Sequence, residues 1–496
     1  MKKKLYLNNV ISLIYQLTSI AIGLILPRLL LANYGSAING YVSSITKMLG
    51  FISIMDLGVG SVVQAALYKP LSERDEKQIS VIYNASRKYF RIIAYILIVY
   101  IMVLCIYYSI DNVNDFSAFF SITLVLAISL SSFAQYYFGI SNSLLLNADQ
   151  RIYIVTSINL ITLVFNAVIS IILMLNNVNI QFVKLAASMV YVCRPMLLSI
   201  YVKRNYKIEI DNNISLGILK NKWSGMAQHI STVLTGSIDY IVLTIFSSFT
   251  SISVYSVYVL PLNSIRDMIS AVCSGYKSFF GKLIAENNME LLNREFDRFE
   301  TIIHCIVIFI YTCSAKLLVS FVILYTNGVD DANYINYLFA YIISFAYALF
   351  ALRTPYTTVI FAAGHFKETQ KYCIVESALN IVISVVLVVK FDIVGVAMGT
   401  CISVLYRLII SEKYLHKNIL NRDVRKFLKH IIADLLCIIF FCEVGQFIIL
   451  KEVNIFSWCI YAIKISILMI LIILIIHCVL FREFRNMIKK RRIKNY

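Results

Sequence analysis

This chain has very little outside its apolar stretches. Its longest polar gap runs only from Leu67 to Arg91, which leaves no room for a folded soluble domain on either face. That argues against a membrane glycosyltransferase or polymerase, which needs catalytic carboxylates or histidines on a sizeable loop. The six histidines are scattered, and none forms a motif with a nearby nucleophile, so the chain is read as a non-enzyme. No phosphate-binding loop is present, and any energy source is therefore an ion gradient, the cargo's own gradient or a partner. All eleven cysteines fall within apolar stretches, without a CxxC pair or a Cys/His cluster. Neither disulfides nor a metal site is expected, and each cysteine serves as a small apolar residue.

Charge is scarce too. The chain is 59% hydrophobic and 15% charged, with a mean hydropathy of +0.78, a composition unlike that of a soluble globule. Fourteen apolar stretches are long enough to cross a bilayer, given the roughly 20 residues a spanning helix needs. Thirty-four of the 45 Lys and Arg residues lie in alternate gaps between them, and only Lys390 and Lys451 lie in the intervening gaps. Positive charge marks the cytoplasmic side. The net charge of +18 thus reports topology rather than nucleic-acid binding, and an even helix number places both termini in the cytoplasm. The first stretch follows Lys2, Lys3 and Lys4 but lacks a small-residue cleavage site, so it reads as a retained helix. The mixed-charge segments 71–91 and 282–300 read as surface helices along the inner leaflet.

The chain repeats itself. Asn166-Ala-Val-Ile-Ser170 recurs as Asn380-Ile-Val-Ile-Ser384, an offset of 214. Tyr41 and Tyr255 share that offset, and Arg194 has a counterpart one residue away in Arg407. The expected architecture is an all-α integral membrane protein of about 14 transmembrane helices. It comprises a six-helix lobe (1–202), a cytoplasmic connector (203–222), a second six-helix lobe (223–414), and two additional helices with a basic tail (415–496). Six is even, so the lobes are parallel repeats, the arrangement that alternating access uses.

Nine basic residues remain inside or at the ends of apolar stretches: Arg28, Lys47, Lys184, Arg194, Arg266, Lys316, Arg353, Arg407 and Lys464. A charge at mid-membrane costs on the order of 2.5–3.5 kcal/mol and normally faces a water-filled cavity or a partner. Arg28 and Lys184 lie near outer helix ends, where a side chain can reach the headgroups. Glu443 and Lys464 lie at comparable depth and suit a structural ion pair. Arg194 precedes Pro195 and can satisfy carbonyls freed by the helix break, whereas Arg407 is either cavity-lining or paired. Lys47, Arg266 and Asp239 lie about nine, twelve and sixteen residues into their stretches, depths of roughly 13, 18 and 24 Å. Asp267 adjoins Arg266, but neighbouring residues on a helix point in different directions. Lys47, Arg266, Arg353 and Lys316 are therefore candidate cavity cations, and their sign implies an anionic cargo such as a phosphate or pyrophosphate, which suits arginine's planar fork. Asp239 and Asp56 are candidates for charge balance or for H⁺ or Na⁺ coupling; no other cofactor is expected.

Pro27-Arg28-x5-Tyr34-Gly35-x4-Gly40, followed by Asp56-Leu57-Gly58-x-Gly60, resembles the start of the bacterial polysaccharide flippases. These belong to the multidrug/oligosaccharidyl-lipid/polysaccharide exporter superfamily. The second half has a corresponding pattern in Ser237-Ile-Asp239-Tyr240 and Val254-Tyr255-Ser256-x4-Leu260-Pro261, although Tyr240 stands where the superfamily often has a basic residue. The resemblance spans essentially the whole chain in helix number, repeat and loop length. It implies a V-shaped pair of lobes that moves undecaprenyl-pyrophosphate-linked oligosaccharide from the inner to the outer leaflet of a bacterial cell membrane, for O-antigen, capsule or exopolysaccharide synthesis. It also implies that Arg28, Lys47 and Arg266 line the central cavity, as basic residues on the first, second and eighth helices do in related precursor flippases. The implied partners are the lipid-linked cargo, membrane lipids, and a polysaccharide polymerase with its chain-length machinery; no nucleic acid is involved. The rivals are a cation-coupled drug exporter of the same superfamily, which predicts a cavity of acids and aromatics, and a membrane-embedded polymerase or transferase.

Overall fold

The computed structural model describes residues 2–56, 58–110, 116–209, 226–450, 452–481 and 485. Most of the connector expected at 203–222 and most of the basic tail lie outside these residues. Every regular element described is helical: α1 Lys2–Gly50, α2 Val59–Glu73, α3 Glu76–Ile110, α4 Ala118–Ala134, α5 Ile140–Ala148, α6 Ile152–Leu175, α7 Ile180–Asn205, α8 Met226–Phe246, α9 Phe249–Ala285, α10 Met289–Tyr325, α11 Tyr337–Ala362, α12 Phe366–Leu415, α13 Arg425–Gly445 and α14 Ile455–Leu480. Ten stretches among the described residues are long and apolar enough to cross a membrane. Helix suits a bilayer core, because each backbone N–H and C=O there finds its partner within its own segment.

Two elements contain two passes each. α1 leaves helical geometry at Gly35 (φ 81°, ψ 175°), a conformation that only glycine adopts without strain. α12 breaks at Asp392 (φ 48°). Its two arms run antiparallel, since Asn380 Nδ2 donates to Thr400 Oγ1 at 3.2 Å and Ser384 Oγ donates to the Val396 carbonyl at 3.4 Å. The arms approach so closely that a Cβ on Gly399 would lie 2.1 Å from Ser384 Oγ and 2.8 Å from its backbone nitrogen. Conversely, α4 and α5 form one pass, joined through a π-helical turn at Gln135–Gly139. α2, at 15 residues, is too short for a pass of its own. Splitting α1 and α12 turns the ten stretches into twelve passes, and α9 and α13, of 37 and 21 residues, bring the described helices of spanning length to fourteen.

The two mixed-charge segments are not separate surface helices. Residues 76–91 are the opening turns of α3, and residues 289–300 those of α10. At 35 and 37 residues these helices are roughly 52–56 Å long, against an apolar core of about 30 Å. The excess carries the polar end of each helix straight into water, so no change of direction is needed.

The chain divides into two compact units: unit 1, Met1–Thr244 with Ser248–Ser253, and unit 2, Ile245–Ser247 with Val254–Tyr496. In unit 1, Tyr41 packs against Tyr108 and Phe249 with ring centroids 5.2 and 4.5 Å apart. One turn away, Ser44 bridges the Tyr108 hydroxyl (2.5 Å) and Thr244 Oγ1 (2.7 Å). Asn39 donates to Ser253 at 2.7 Å, so two positions related by the repeat offset touch each other. At the basic end of this unit, Tyr206 donates to Asp149 Oδ2 at 2.6 Å, and Arg151 pairs with the same oxygen at 2.7 Å. Burial, reinforced by that carboxylate, pushes the Tyr206 phenol well above its usual range. In unit 2, α10, α13 and α14 share an apolar core that includes Phe441, Tyr461, Ile465 and Met469.

The repeat survives at the level of single bonds. Ser170 Oγ donates to Asn166 Oδ1 at 3.2 Å, and Ser384 Oγ to Asn380 Oδ1 at 3.2 Å. The asparagine amides then cross to the next helix, to the Tyr191 hydroxyl (2.9 Å) in unit 1 and to Thr400 in unit 2. These bonds satisfy groups that would otherwise lie unpaired in an apolar setting, at a cost of about 1–3 kcal/mol each.

Candidate functional site

Unit 1 holds Arg28, Lys47, Asp56 and Asp239. Arg28 is half-buried, directly after the in-helix Pro27. Lys47 Nζ lies 5.0 Å from the centre of the Tyr240 ring. A ring face attracts a cation by about 0.5–2 kcal/mol, so Tyr240 receives the Lys47 cation here. Its neighbour Asp239 is buried (7% exposed). Asp56 ends the short 3₁₀ turn Phe51–Asp56 beside Tyr136 and His229, and His229 Nε2 lies 2.9 Å from the Ser53 carbonyl oxygen. Three further cations of this unit also meet aromatic faces: Arg91 over Tyr137 at 4.6 Å, Arg194 over Tyr191 at 4.7 Å and Arg151 over Tyr206 at 5.5 Å. Arg194 also donates to Thr162 Oγ1 at 3.1 Å.

Unit 2 holds Arg266, Lys316 and Arg353. Sequence adjacency is misleading for Arg266. Its guanidinium turns back and donates to Asp267 Oδ1 from Nε (3.1 Å) and Nη2 (3.0 Å), between the rings of Tyr347 and Phe350. The long arginine arm overcomes the divergence of neighbouring Cβ vectors. Arg353 is not a lone cation either. It bonds to Glu376, which also lies 3.9 Å from Arg407 Nε, and it stacks over Phe350 at 4.3 Å. Glu376 and Thr162 are related by the same repeat offset as Asn380 and Asn166. The repeat therefore places a hydroxyl under Arg194 in unit 1 and a carboxylate under Arg407 in unit 2. Lys316 has no ion pair among the described residues. It lines a largely apolar cavity of about 940 Å³ with Tyr311, Ser344, Leu408, Phe427 and Asp434. Glu443 and Lys464 are both exposed and form no ion pair among the described residues, contrary to the expectation from their matching depths; their helices turn these two faces outward.

No protein-family model matches the sequence, and no curated protein matches it. Solved structures do match in fold. A lipid II flippase, MurJ, in an inward closed conformation superposes with a TM-score of 0.73 at 12% identity, over 96% of this chain and 99% of that one. A multidrug-resistance MATE family transporter of the MOP superfamily, inward-facing, gives 0.55 at 13% identity, over 80% and 96%. The eukaryotic MATE transporter AtDTX14 gives 0.57 at 12%, over 86% and 97%. The chain shares its fold with these transporters. The two kinds of neighbour differ in reach: the two MATE structures match 80% and 86% of this chain, the lipid II flippase 96%. The buried polar cluster around His304 and Asp434 in unit 2 leaves no local trace in the sequence, because its members come from distant segments on four helices.

Proposed function

We propose that this protein is a flippase that carries undecaprenyl-pyrophosphate-linked oligosaccharide from the inner to the outer leaflet of a bacterial cell membrane, for surface polysaccharide synthesis. The observation that carries this reading is the near-complete match in fold to a lipid II flippase, where drug-exporter structures cover less of the chain. The excess of cations supports it: Arg28, Lys47, Arg266, Arg353 and Lys316 are candidates to hold the pyrophosphate, with Asp239 and Asp56 balancing their charge. Two guanidiniums already engage carboxylates, Arg266 with Asp267 and Arg353 with Glu376. A cargo phosphate that reached either would exchange one charge-assisted pair for another, which favours reversible holding over tight capture. Both termini face the cytoplasm in this reading, and a polysaccharide polymerase with its chain-length machinery takes the cargo onward. Deleting the gene in its host tests the proposal. Lipid-linked repeat units should accumulate on the cytoplasmic leaflet while surface polysaccharide disappears. Normal polysaccharide together with hypersensitivity to cationic drugs would favour the exporter reading instead.

A further inference from the structure

Unit 2 contains a buried chain of titratable groups on the basic side of the membrane. Lys426, half exposed, reaches Asp297 at 2.6 Å, and Arg422 bonds to both Asp297 and Glu300. Glu300 Oε1 accepts from the Tyr356 hydroxyl at 2.7 Å, and His304 Nε2 lies 3.3 Å from the same hydroxyl. On its other side, His304 Nδ1 lies 2.6 Å from Asp434 Oδ2. Glu300, His304 and Tyr356 are fully buried, and Asp434 is 3% exposed. Asp434 also lines the apolar cavity of about 940 Å³. The chain of contacts therefore runs from the water-exposed Lys426 to the wall of that cavity.

Donor counting determines what the inner end holds. The single Tyr356 proton is committed to Glu300, so His304 Nε2 must carry a proton to bond the tyrosine oxygen. His304 Nδ1 then faces a carboxylate oxygen. Without a proton between them, a nitrogen lone pair and an oxygen lone pair would oppose each other at 2.6 Å, a contact that only a shared proton makes attractive. Charge counting agrees. Asp297, Glu300 and Asp434 set three negative charges against two positive ones on Arg422 and Lys426, and one added proton makes the chain neutral. Neutrality matters here, since an uncompensated buried charge is strongly destabilising.

Other titratable groups also face the pair. From α13, His430 stacks on His304 at 4.8 Å and lies 3.6 Å from Glu300, with Lys429 and Cys437 nearby. From α14, His477 lies beside His304, and Phe481, just past the helix end, stacks on both His430 and His477. Cys305 is on α10 itself beside Asp434. Glu412 of α12 faces Tyr356 and is bonded to His416, a separate pair.

We propose that His304 and Asp434 form a one-proton binding site, at the inner end of a chain of buried polar groups that opens on the basic face, by which transport responds to a proton gradient. The proposal rests on the flippase reading for its transport role. In loading, a hydronium ion on the basic side gives up a proton and becomes water, and an N–H bond forms at His304 Nδ1 against the Asp434 carboxylate; unloading reverses this. The site links α10, α11 and α13, so gain or loss of the proton changes how three helices are tied together.

The test has two arms on the full-length protein. In lipid nanodiscs, with histidine rings labelled with ¹⁵N and the His304 signal assigned from His304→Gln, the His304 ring should carry protons on both nitrogens at pH 6. In Asp434→Asn that doubly protonated form should vanish while the other rings are unchanged. A His304 ring with one nitrogen protonated throughout pH 5–9, or one indifferent to Asp434→Asn, overturns the site. In proteoliposomes containing undecaprenyl-pyrophosphate-linked oligosaccharide, an imposed pH gradient should change the wild-type flipping rate severalfold and leave the His304→Gln rate within twofold. An equal gradient response in both overturns the coupling. Absence of wild-type flipping would refute the flippase reading, while the ring measurement would still decide the proton site.

Discussion

Replacing Glu376 with Gln should be among the most damaging single-atom changes available in unit 2. The carboxylate is 3% exposed and serves two guanidiniums, bonding Arg353 and lying 3.9 Å from the 2%-exposed Arg407. Gln keeps the shape and removes the charge. Arg407 then keeps the Thr369 carbonyl, 3.3 Å from Nη1, but no counter-charge at that oxygen, and it faces Arg353 across a neutral amide. Breaking a buried ion pair from one side costs about 3–5 kcal/mol, because the remaining charge stays buried. The equivalent position of the repeat provides an internal control. In unit 1, Arg194 meets the hydroxyl of Thr162 at 3.1 Å, so Thr162→Val removes one charge-assisted hydrogen bond at about 1.5–3 kcal/mol. The double change Glu376→Gln/Arg407→Gln should recover at least half of the single-variant loss, since it removes the stranded charge as well. Unfolding of purified protein in mixed micelles, monitored by helix content and by Cys373 accessibility, gives all three values. A Glu376→Gln variant within about 1 kcal/mol of wild type, or a double variant worse than the single, would refute the pairing argument.

Gly399→Val should destabilise the α12 hairpin by roughly 3 kcal/mol or more, because the new Cβ would lie 2.1 Å from Ser384 Oγ; lower protein yield in membranes checks this, and a wild-type yield would mean the arms are further apart. Lys47→Ala and Arg266→Ala should each abolish export at unchanged membrane level, and Arg266→Lys should retain part of it, since the charge stays but the planar fork is lost; polymer analysis with immunoblotting decides. Asp239→Asn should leave the gradient response of flipping intact, in contrast to His304→Gln. Single cysteines at Asn33 and Asn327 in a Cys-free variant should react with impermeant maleimide from outside, and one at Asn293 should not.

The number of passes is legible because bilayer thickness imposes a length on every apolar run, and Asp392 and Gly35 mark the two breaks within otherwise continuous helix. The internal repeat is legible for a physical reason as well. Asn166 and Asn380 make the same intrahelical bond and the same kind of crossing bond, and buried asparagines tolerate few replacements. Side-chain partnerships are much less legible. Arg353 finds Glu376 on the next helix, His304 finds Asp434 on a helix far along the chain, and Arg266 turns to a neighbour that helix geometry alone points elsewhere. Sequence depth says how far a charge lies from water but not which way it faces. This is also why Glu443 and Lys464, level in depth, do not meet. The surface helices expected at 71–91 and 282–300 rest on mixed charge, yet mixed charge is equally what the protruding end of a long spanning helix carries.

The most direct measurement is leaflet transfer itself. Purified protein reconstituted in vesicles with a fluorescent undecaprenyl-pyrophosphate-linked oligosaccharide should move the headgroup to the opposite leaflet, where an impermeant quencher reaches it, and should not move a fluorescent cationic drug. The account predicts protein-dependent transfer of the lipid-linked sugar that is lost in Lys47→Ala. Drug movement without lipid transfer would contradict it.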